Sequence, residues 1–552
     1  MRKSRTTNNL KINAISGTYV VLLGFNLPEN LCNGLLGFSI HRQDHTENEA
    51  FYLSAMKAFK ETDPGFPAGS LYSTKDHPIQ SFQWADYSAK PGYRYTYTVS
   101  ALKGSPLNLI PFAKTKIDII TESPESGTHD VYFNRGTAAS QEYVRRFGDR
   151  SPDDVENNKA FEWLSRGIYE ALESYIESCE AGKHALKIAA YEFNYLPFLQ
   201  LLKKTIDRGV DIQIVYDARK ESPAKENDLQ VAKAGIGLNC KRRTEGASYI
   251  SHNKFILKLE NGNPISVWTG GMNFSDGGIF GHSNVAHVIE EAHVANKFLI
   301  YWLDLFADFK TPDLRKDVEL ISPLPILPLQ QAEMCVFSPR KSLDALTLYQ
   351  NLALSAKEGL FMTFAFGINL IFKDVYNKSN APLRYALLEK TTRPMKSGPE
   401  KDAEVADIQK LRNKMENVFA IGDFIKTNAF DGWLKEKLSG LNSAVNFVHN
   451  KFMILDPLSS SPIVITGSAN FSDASTLNND ENMVIIKGNK RVADIYLGEY
   501  MRLFSHHSFR ESLKWRKPGE QPKPLRTDDW WKDNFGATSR SQRRKFFAKV
   551  KD

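Results

Sequence analysis

Apolar and polar residues alternate along several short stretches of the first 120 residues. In the stretch PGYRYTYTVSAL, Tyr93, Tyr95, Tyr97 and Val99 fall on one side and polar residues on the other. This period of two is typical of a half-buried antiparallel strand. Similar runs, GTYVVLLGFNL, LLGFSIHRQD and TKIDIIT, are separated by turn residues without intervening helices. The pattern predicts a β-sandwich over residues 1–121.

A different pattern follows a polar stretch that we interpret as a linker over residues 122–150. Residues 157–217 predict a helix (NNKAFEWLSRGIYEALESYIES), a strand (ALKIAAYEF), a helix (LPFLQLLKKTIDRG) and a strand (VDIQIVYDA),. The same order returns in GLFMTFAF, INLIFKDVYNKSN and PLRYALLEK. We therefore predict one duplicated α/β domain, with halves at 151–315 and 333–510 and a proline-rich join, ISPLPILPLQQ, at 316–332,.

The two predicted halves share a tetrapeptide and a set of spaced residues. HNKF begins at His252 and again at His449. Counted from each histidine, the lysine of the tetrapeptide and four further residues recur at the same offsets: Lys254, Gly270, Asn273, Phe274 and Ser275 in the first copy, and Lys451, Gly467, Asn470, Phe471 and Ser472 in the second. Chance rarely preserves so many identities in one register, so both copies are candidates for a functional site.

These residue types suit one kind of chemistry. A histidine and a lysine two apart point to the same face of a strand, and the returning strand brings Gly-x-x-Asn beside them. Each copy thus offers an imidazole, an ammonium, an amide and a hydroxyl near one point. Cations and amide donors can hold the non-bridging oxygens of a phosphoryl group, while histidine attacks phosphorus or carries a proton.

Composition narrows the class of protein. A chain of 552 residues exceeds one ordinary core, and 42% hydrophobic with 24% charged residues is typical of globular domains,. The N-terminus lacks the apolar segment of a secretory signal, and the longest apolar-rich run, 359–372, is too short to span a membrane,. The four cysteines lie far apart, which argues against a disulfide framework or a zinc site,. We predict a cytoplasmic protein without a metal or cofactor.

The positive charge is concentrated in a C-terminal extension over residues 511–552. From Lys514 to Asp552 there are twelve Lys or Arg against five Asp or Glu, while the whole chain carries +7. This extension is either a solvated tail or an anchor for a polyanion. Its aromatic residues favour a segment packed partly on a domain: Trp515, Trp530, Trp531, Phe535, Phe546 and Phe547.

The repeated residues resemble the signature of the phospholipase D superfamily, H-x-K-(x)4-D followed by G-x-x-N. The second copy matches as His449, Lys451, Asp456, Gly467 and Asn470. The first copy departs from the family pattern, because Leu259 stands where the aspartate would be. In both copies the glycine falls four residues later than usual, which we interpret as a longer hairpin turn. The N-terminal run Tyr-x-Tyr-x-Val-x-Ala after Ala-Lys-Pro-Gly resembles a late strand of fibronectin type III modules.

The phospholipase D resemblance implies two pseudo-twofold-related α/β halves that share one active site. One histidine forms a covalent phosphohistidine, and the other protonates the leaving oxygen and then activates water or an alcohol, with no metal. Family members also place a carboxylate behind the histidine. Glu481 lies 32 residues after His449, and Asn284 holds the matching position after His252. On this asymmetry we predict that His449 is the nucleophile and His252 the acid.

The substrate stays open at this point. We favour a nuclease, with nucleic acid as substrate and the β-sandwich as a docking module for nucleic acid or a protein partner. One alternative is a phospholipase D or phosphatidyltransferase that acts on phospholipid bilayers. Another is a binding scaffold without activity, for which replacing His449 would leave function intact. Tyr191, Glu192 and Asn194 are further candidates for the cleft, or simply the end of a strand.

Overall fold

The computed structural model describes residues 1–65, 71–125, 127–136, 141–246, 249–393, 397–422, 447–514 and 523–550. Trp515, predicted as part of the packed extension, lies outside these ranges. Two groups of sheets organise the chain, one at the N-terminus and one in the two α/β halves. No helix in the described ranges is both apolar enough and long enough to cross a membrane.

The N-terminal region is built from strands. It contains β1 (Arg2–Thr7), β2 (Leu10–Ser16), β3 (Val21–Asn26), β4 (Gly37–Asp44), β5 (Glu49–Tyr52), β6 (Ser54–Ala55), β7 (Tyr72–Ser73), β8 (Gln83–Asp86), β9 (Arg94–Ser105) and β10 (Asn108–Ile120). Two four-stranded antiparallel sheets, β1-β2-β3-β8 and β10-β9-β4-β5, contribute to one apolar core. The alternating tyrosine stretch is β9, with Tyr95, Tyr97 and Val99 fully buried. The predicted strands are confirmed, whereas the fibronectin-like sandwich stays a prediction.

The first α/β half contains one seven-stranded sheet in the order β11-β17-β16-β15-β12-β13-β14. Its strands are β11 (His129–Phe133), β12 (His184–Ala190), β13 (Asp211–Asp217), β14 (Cys240–Arg243), β15 (Lys254–Glu260), β16 (Asn263–Gly270) and β17 (Val285–Ile289). Its helices are α1 (Gln141–Phe147), α2 (Lys159–Ser165), α3 (Ile168–Glu177), α4 (Leu196–Asp207), α5 (Glu221–Ala234), α6 (Ala292–Phe306) and α7 (Thr311–Ile321).

The second half repeats this arrangement. Its sheet runs β18-β24-β23-β22-β19-β20-β21, so each strand occupies the place of its counterpart in the first sheet. The strands are β18 (Glu333–Ser338), β19 (Leu360–Phe364), β20 (Arg384–Leu388), β21 (Asn417–Ile421), β22 (Phe452–Leu455), β23 (Ile463–Gly467) and β24 (Glu481–Lys487). The helices are α8 (Asp344–Leu354), α9 (Leu370–Lys378), α10 (Pro399–Arg412), α11 (Asp473–Leu477) and α12 (Lys490–Lys514). This identical strand order is what a duplicated domain predicts.

The predicted linker at 122–150 needs a correction. It contains β11, which pairs antiparallel with β17 at the edge of the first sheet, and helix α1. The run HDVYF buries Val131 and Phe133 in the core shared by both halves. Five residues within a polar stretch carry too short a pattern to distinguish an edge strand from a loop. The first half therefore begins before residue 151.

The motif phenylalanines hold the two halves together. Phe255 and Phe452 belong to one cluster of buried apolar residues drawn from both halves. Phe255 packs edge-on against Phe298 of α6, and Phe452 packs edge-on against Tyr496 of α12. Each HNKF sequence thus places its aromatic side chain in the common core, which fixes the position of the neighbouring histidine and lysine.

The aspartate that the first copy lacks has a structural role in the second. The Asp456 carboxylate accepts hydrogen bonds from the backbone N–H groups of Lys357, Glu358 and Gly359 at 2.7–3.0 Å, which anchors the loop that leads into β19. Leu259 at the matching position is buried in the apolar core. The exchange of aspartate for leucine thus affects a loop and leaves the motif histidine and lysine in place.

The C-terminal extension packs on the N-terminal sheets. Trp530 and Trp531 join the N-terminal core, and the Trp530 indole N–H donates to the carbonyl of Leu35 at 2.7 Å. The last helix, α13 (Ser539–Ala548), lies against β3. Three basic residues of the extension pair with nearby acids: Arg526 with Asp528, Lys532 with Asp529, and Arg540 with Asp533. The predicted packing is confirmed.

Gly467 of the second motif is required by a close approach of two strands. A Cβ at this position would lie 2.1 Å from the carbonyl oxygen of Asn482 on β24. We expect Gly467→Ala to destabilise the protein by about 1–3 kcal/mol, because the backbone has to move to relieve the clash. Gly237→Ala is the matched control, since a Cβ there meets open space. Equal urea midpoints for the two variants would contradict this prediction.

Candidate active site

The loops before the two motif histidines meet at the boundary between the halves. Ser251 forms an isolated parallel bridge with Asp480, and Val448 forms the matching bridge with Ser283. The strands themselves begin after the histidines, at Lys254 in β15 and just past the lysine in β22. The predicted strand positions of the histidines are thus corrected to loop positions, which leaves their backbone groups free to bind the opposite half.

Two carboxylates hold these loops from behind. Asp217, at the end of β13, accepts a hydrogen bond from the N–H of Ser251 at 2.7 Å. Glu389, one residue past β20, accepts from the N–H groups of Val448 at 2.8 Å and Phe447 at 3.2 Å. Sequence analysis missed this pair, although both carboxylates follow the second strand of the repeated strand-helix-strand pattern, in VDIQIVYDA and PLRYALLEK.

Each motif histidine has its Nδ1 partner in the opposite half. The Nδ1 of His252 lies 2.9 Å from Oε2 of Glu481, and the Nδ1 of His449 lies 3.1 Å from Oδ1 of Asn284. The predicted pairing was therefore wrong, since we had assigned Glu481 to the histidine nearer in sequence. Asn284 just precedes β17 and Glu481 begins β24, so both reach across the boundary. The carboxylate consequently belongs to His252.

The Asn284 amide is oriented by its other contacts. Its nitrogen donates to the carbonyl of Gly278 at 2.6 Å and lies 2.9 Å from Nδ1 of His282. Its oxygen is thereby left to accept the Nδ1–H of His449. The ring centroids of His282 and His449 are 4.3 Å apart, with planes at 35°. His282 was missed by sequence analysis, although it lies two residues before Asn284 in GHSN.

Two buried lysines accompany the histidines. The Nζ of Lys451 donates to the carbonyl of His449 at 2.6 Å, and Lys254 makes the same contact with His252. Burial lowers the pKa of Lys254 to about 7, and burial together with the Lys254 charge lowers the pKa of Lys451 well below its ordinary value. Tyr191 lies beside them, with its ring centroid 5.0 Å from the Lys254 Nζ. An anion bound here would stabilise both ammonium groups.

Both motif imidazoles have lowered pKa values, which favours their neutral forms near pH 7. Burial lowers the pKa of His252 to about 4, against the opposing effect of Glu481. Burial and the nearby Lys451 hold the pKa of His449 well below its ordinary value. Because Glu481 accepts the Nδ1–H of His252, the lone pair on Nε2 is available to attack an electrophile. A bound anion would favour protonation of His449.

The asparagines and serines of the two copies differ in their partners. Asn273 and Ser275 both donate to Oε2 of Glu192, at 2.7 and 2.8 Å. Ser472 instead caps α11 by accepting the N–H of Ser475 at 3.3 Å. The Asn470 amide oxygen has no hydrogen-bond partner in the described ranges.

The remaining sequence candidates divide into two groups. Tyr191 and Glu192 join the site. The Asn194 side chain donates to the exposed Glu226 at 3.1 Å, and its backbone N–H donates to the carbonyl of Phe274 at 3.1 Å. Gly270 has a structural role, because a Cβ there would lie 2.2 Å from the carbonyl oxygen of Val285. Within the described ranges, no three His, Cys, Asp or Glu residues are grouped to hold a metal ion.

Comparisons with known proteins agree with this geometry. The family model described as "Cardiolipin synthase, PLD-like domain" matches residues 172–301 and 401–504, one segment in each half. No curated protein matches the chain by sequence.

Solved structures show similarity at low identity. Polyphosphate kinase from Porphyromonas gingivalis is 8% identical over 67% of this chain and 53% of its own, with a TM-score of 0.38, so the match spans about half of that kinase. Phosphatidylserine synthase from Haemophilus influenzae is 10% identical over 62% of this chain and 85% of its own, with a TM-score of 0.42. The phospholipase D family member Nuc from Salmonella typhimurium is 25% identical over 26% of this chain and 90% of its own, with a TM-score of 0.21.

The family assignment combines the sequence match with the motifs. The first matched segment contains His252 and Lys254, and the second reaches across His449 and Lys451. Both segments fall in halves with the same strand order, and the motif histidines meet where those halves join. The chain therefore contains a phospholipase D-like domain that is matched in two segments, one in each half.

Proposed function

We propose that this chain is a metal-independent phosphodiesterase that acts through a covalent phosphohistidine on His252. The observation that carries this proposal is the crosswise pairing of the two imidazoles. A carboxylate, Glu481, holds His252, whereas a neutral amide, Asn284, holds His449. A carboxylate raises the nucleophilicity of its imidazole and stabilises the positive charge that attack creates. This reverses the roles that the sequence alone favoured.

The reaction proceeds in two displacements at phosphorus. The Nε2 of His252 attacks, an N–P bond forms, and the P–O bond to the leaving group breaks as His449 gives its Nε2 proton to the departing oxygen. Water then attacks phosphorus and passes a proton to His449, and the N–P bond breaks to release His252. Lys254 and Lys451 hold the non-bridging oxygens throughout, which offsets the charge of the transition state.

Nucleic acid is the substrate class that we favour. Support comes from the net charge of +7 and from the two buried lysines, Lys254 and Lys451, whose ammonium forms a bound phosphate would stabilise,. Positive potentials concentrate polyanions at a cleft. The C-terminal extension adds little to this argument, because its described part packs on the N-terminal sheets. Phospholipid cleavage or phosphatidyl transfer is the alternative for the same catalytic groups.

The experiment compares substrates with and without a metal chelator. Purified full-length protein is incubated in excess EDTA with end-labelled single- and double-stranded DNA and RNA, and with phosphatidylcholine and phosphatidylglycerol vesicles. His449→Ala is the control. We expect nucleic acid cleavage by the wild type alone. Release of choline or glycerol would assign the chain to lipid chemistry, and complete dependence on added metal would refute the proposed mechanism.

The pH dependence of kcat/KM follows from the groups of the free site. His252 has to be neutral to attack, so activity should rise through about pH 4, where its proton is lost,. Lys254 loses its charge near pH 7, and His449 loses its proton below its ordinary value, so activity should fall by about pH 7. A wild-type rate that still rises above pH 7 would contradict this profile.

A further inference from the structure

His282 is a third imidazole at the boundary of the two halves. It is buried, it lies on the segment between Gly278 and Asn284, and its ring packs on His449 with centroids 4.3 Å apart. Its Nδ1 accepts from the Asn284 amide nitrogen, so the ring proton is on Nε2,. In the described part of the chain, no residue accepts a hydrogen bond from that Nε2–H.

One amide therefore orients two imidazoles. Asn284 receives the Nδ1–H of His449 on its oxygen and donates to Nδ1 of His282 from its nitrogen. Since both rings direct Nδ1 at the same amide, both direct Nε2 away from it. The Nε2 of His449 is the atom that the proposed reaction uses. The free N–H of His282 is thereby placed on the same side as the acid.

The second copy has no equivalent of this group. Asn479 occupies the position that corresponds to His282, 30 residues after its motif histidine, and its amide donates to Oε1 of Glu481 at 3.2 Å. That asparagine supports the carboxylate behind His252 and leaves no free donor of this kind. The extra N–H donor of the first copy, on His282, therefore lies beside His449, the proposed acid.

We propose that His282 contacts the substrate and donates its Nε2–H to a non-bridging phosphoryl oxygen beside His449. The inference rests on the proposed phosphodiesterase function. Burial and the Lys451 charge lower the pKa of His282 to about 3, so the ring stays neutral and keeps a single N–H donor across the working range of pH. A fixed neutral donor stabilises the charge that develops on phosphoryl oxygens without competing with His449 for a proton.

The direct test is nuclear magnetic resonance of the full chain labelled with 15N-histidine, with resonances assigned through single histidine variants. Orthovanadate serves as the phosphoryl probe. We expect His282 in the Nε2–H tautomer and a shift of its Nε2 resonance when orthovanadate binds. An Nδ1–H tautomer of His282 would overturn this inference but not the proposed function. The same holds if the His282 resonance stays unchanged while those of His252 and His449 shift. If none of the three shifts, the site binds no phosphoryl oxyanion, which overturns both this inference and the proposed function.

A kinetic test separates substrate contact from an indirect effect on His449. His282→Asn introduces the residue of the second copy, and we expect kcat/KM to fall about 100-fold. With bis(p-nitrophenyl) phosphate the leaving oxygen needs no proton, so a contact with phosphoryl oxygen predicts the same loss. If the loss of kcat/KM disappears with this substrate, His282 acts only through His449 and does not contact the phosphoryl group. His282→Gln, which keeps an N–H donor on a longer side chain, should recover part of the activity, and thermal unfolding checks that both variants fold.

Discussion

Replacing His252 by alanine is expected to reduce phosphodiester hydrolysis by about 10⁴-fold or more, the largest effect of any substitution in this chain. The covalent step requires the Nε2 lone pair of His252, which the Nδ1 contact with Glu481 leaves available. The measurement is kcat/KM on whichever substrate the wild type cleaves, with thermal unfolding of both proteins alongside.

His293→Ala provides the matched control for this substitution. His293 is exposed on α6, makes only long contacts with Glu291 and Glu333, and lies outside the site. It should retain wild-type activity. The covalent intermediate gives an independent readout: after quenching in alkali, the labelled phosphopeptide should contain His252. A labelled peptide that contains His449 instead would restore the roles first predicted from the sequence and refute the assignment drawn from the crosswise pairing.

Replacing His449 by alanine is expected to separate the two chemical steps. With a sugar or glycerol leaving group, which needs a proton, hydrolysis should fall about 10²- to 10⁴-fold, the range typical of lost general acid catalysis. With an aryl leaving group the first displacement should continue, because p-nitrophenolate departs without a proton. The second step still lacks the base that activates water, so the phosphohistidine on His252 should accumulate.

Rapid quenching with bis(p-nitrophenyl) phosphate measures this accumulation. We expect a burst of p-nitrophenolate close to one equivalent of enzyme, followed by slow turnover, from His449→Ala but not from the wild type. Wild-type turnover of the aryl substrate by this variant would show that His449 is not the base that activates water in the second step. Full activity of the variant on substrates with a sugar or glycerol leaving group would instead refute the role of His449 as the general acid.

The buried lysines connect these predictions to the electrostatics of the site. Lys254 and Lys451 lie within the same boundary region, and burial lowers the pKa of each. A bound phosphodiester therefore supplies the negative counter-charge that stabilises both ammonium groups. The same anion favours the protonated form of His449, so substrate binding prepares the acid for the first step. Specific binding and acid activation thus share one physical cause.

Several elements were predictable from the sequence because they depend on local patterns. The period-two alternation of Tyr95 and Tyr97 identified β9, and the repeated strand-helix-strand order identified both halves. Spacing in register identified the two histidine and lysine sets. The short edge strand β11 was not predictable, because five residues contain too little alternation to distinguish them from the surrounding polar segment.

Side-chain roles that depend on distant loops were beyond the sequence. Asp456 belongs to the family pattern, yet its oxygens bind three backbone N–H groups almost one hundred residues earlier in the chain. The aromatic C-terminal extension indicated packing, but its contact surface, the N-terminal core around Trp530, is about 500 residues away along the chain. Such contacts follow from how whole domains dock.

The sequence by itself determined the duplication, the family motif and the chemistry of the groups that each copy supplies. Only the tertiary structure decided which carboxylate serves which histidine, because Glu481 contacts His252 across 229 positions of the chain and Asn284 contacts His449 across 165. It also decided that His282 lies beside the acid. The physical reason is that residue spacing defines each half separately, whereas the electrostatic environment of an imidazole depends on the groups that the opposite half brings within hydrogen-bonding distance.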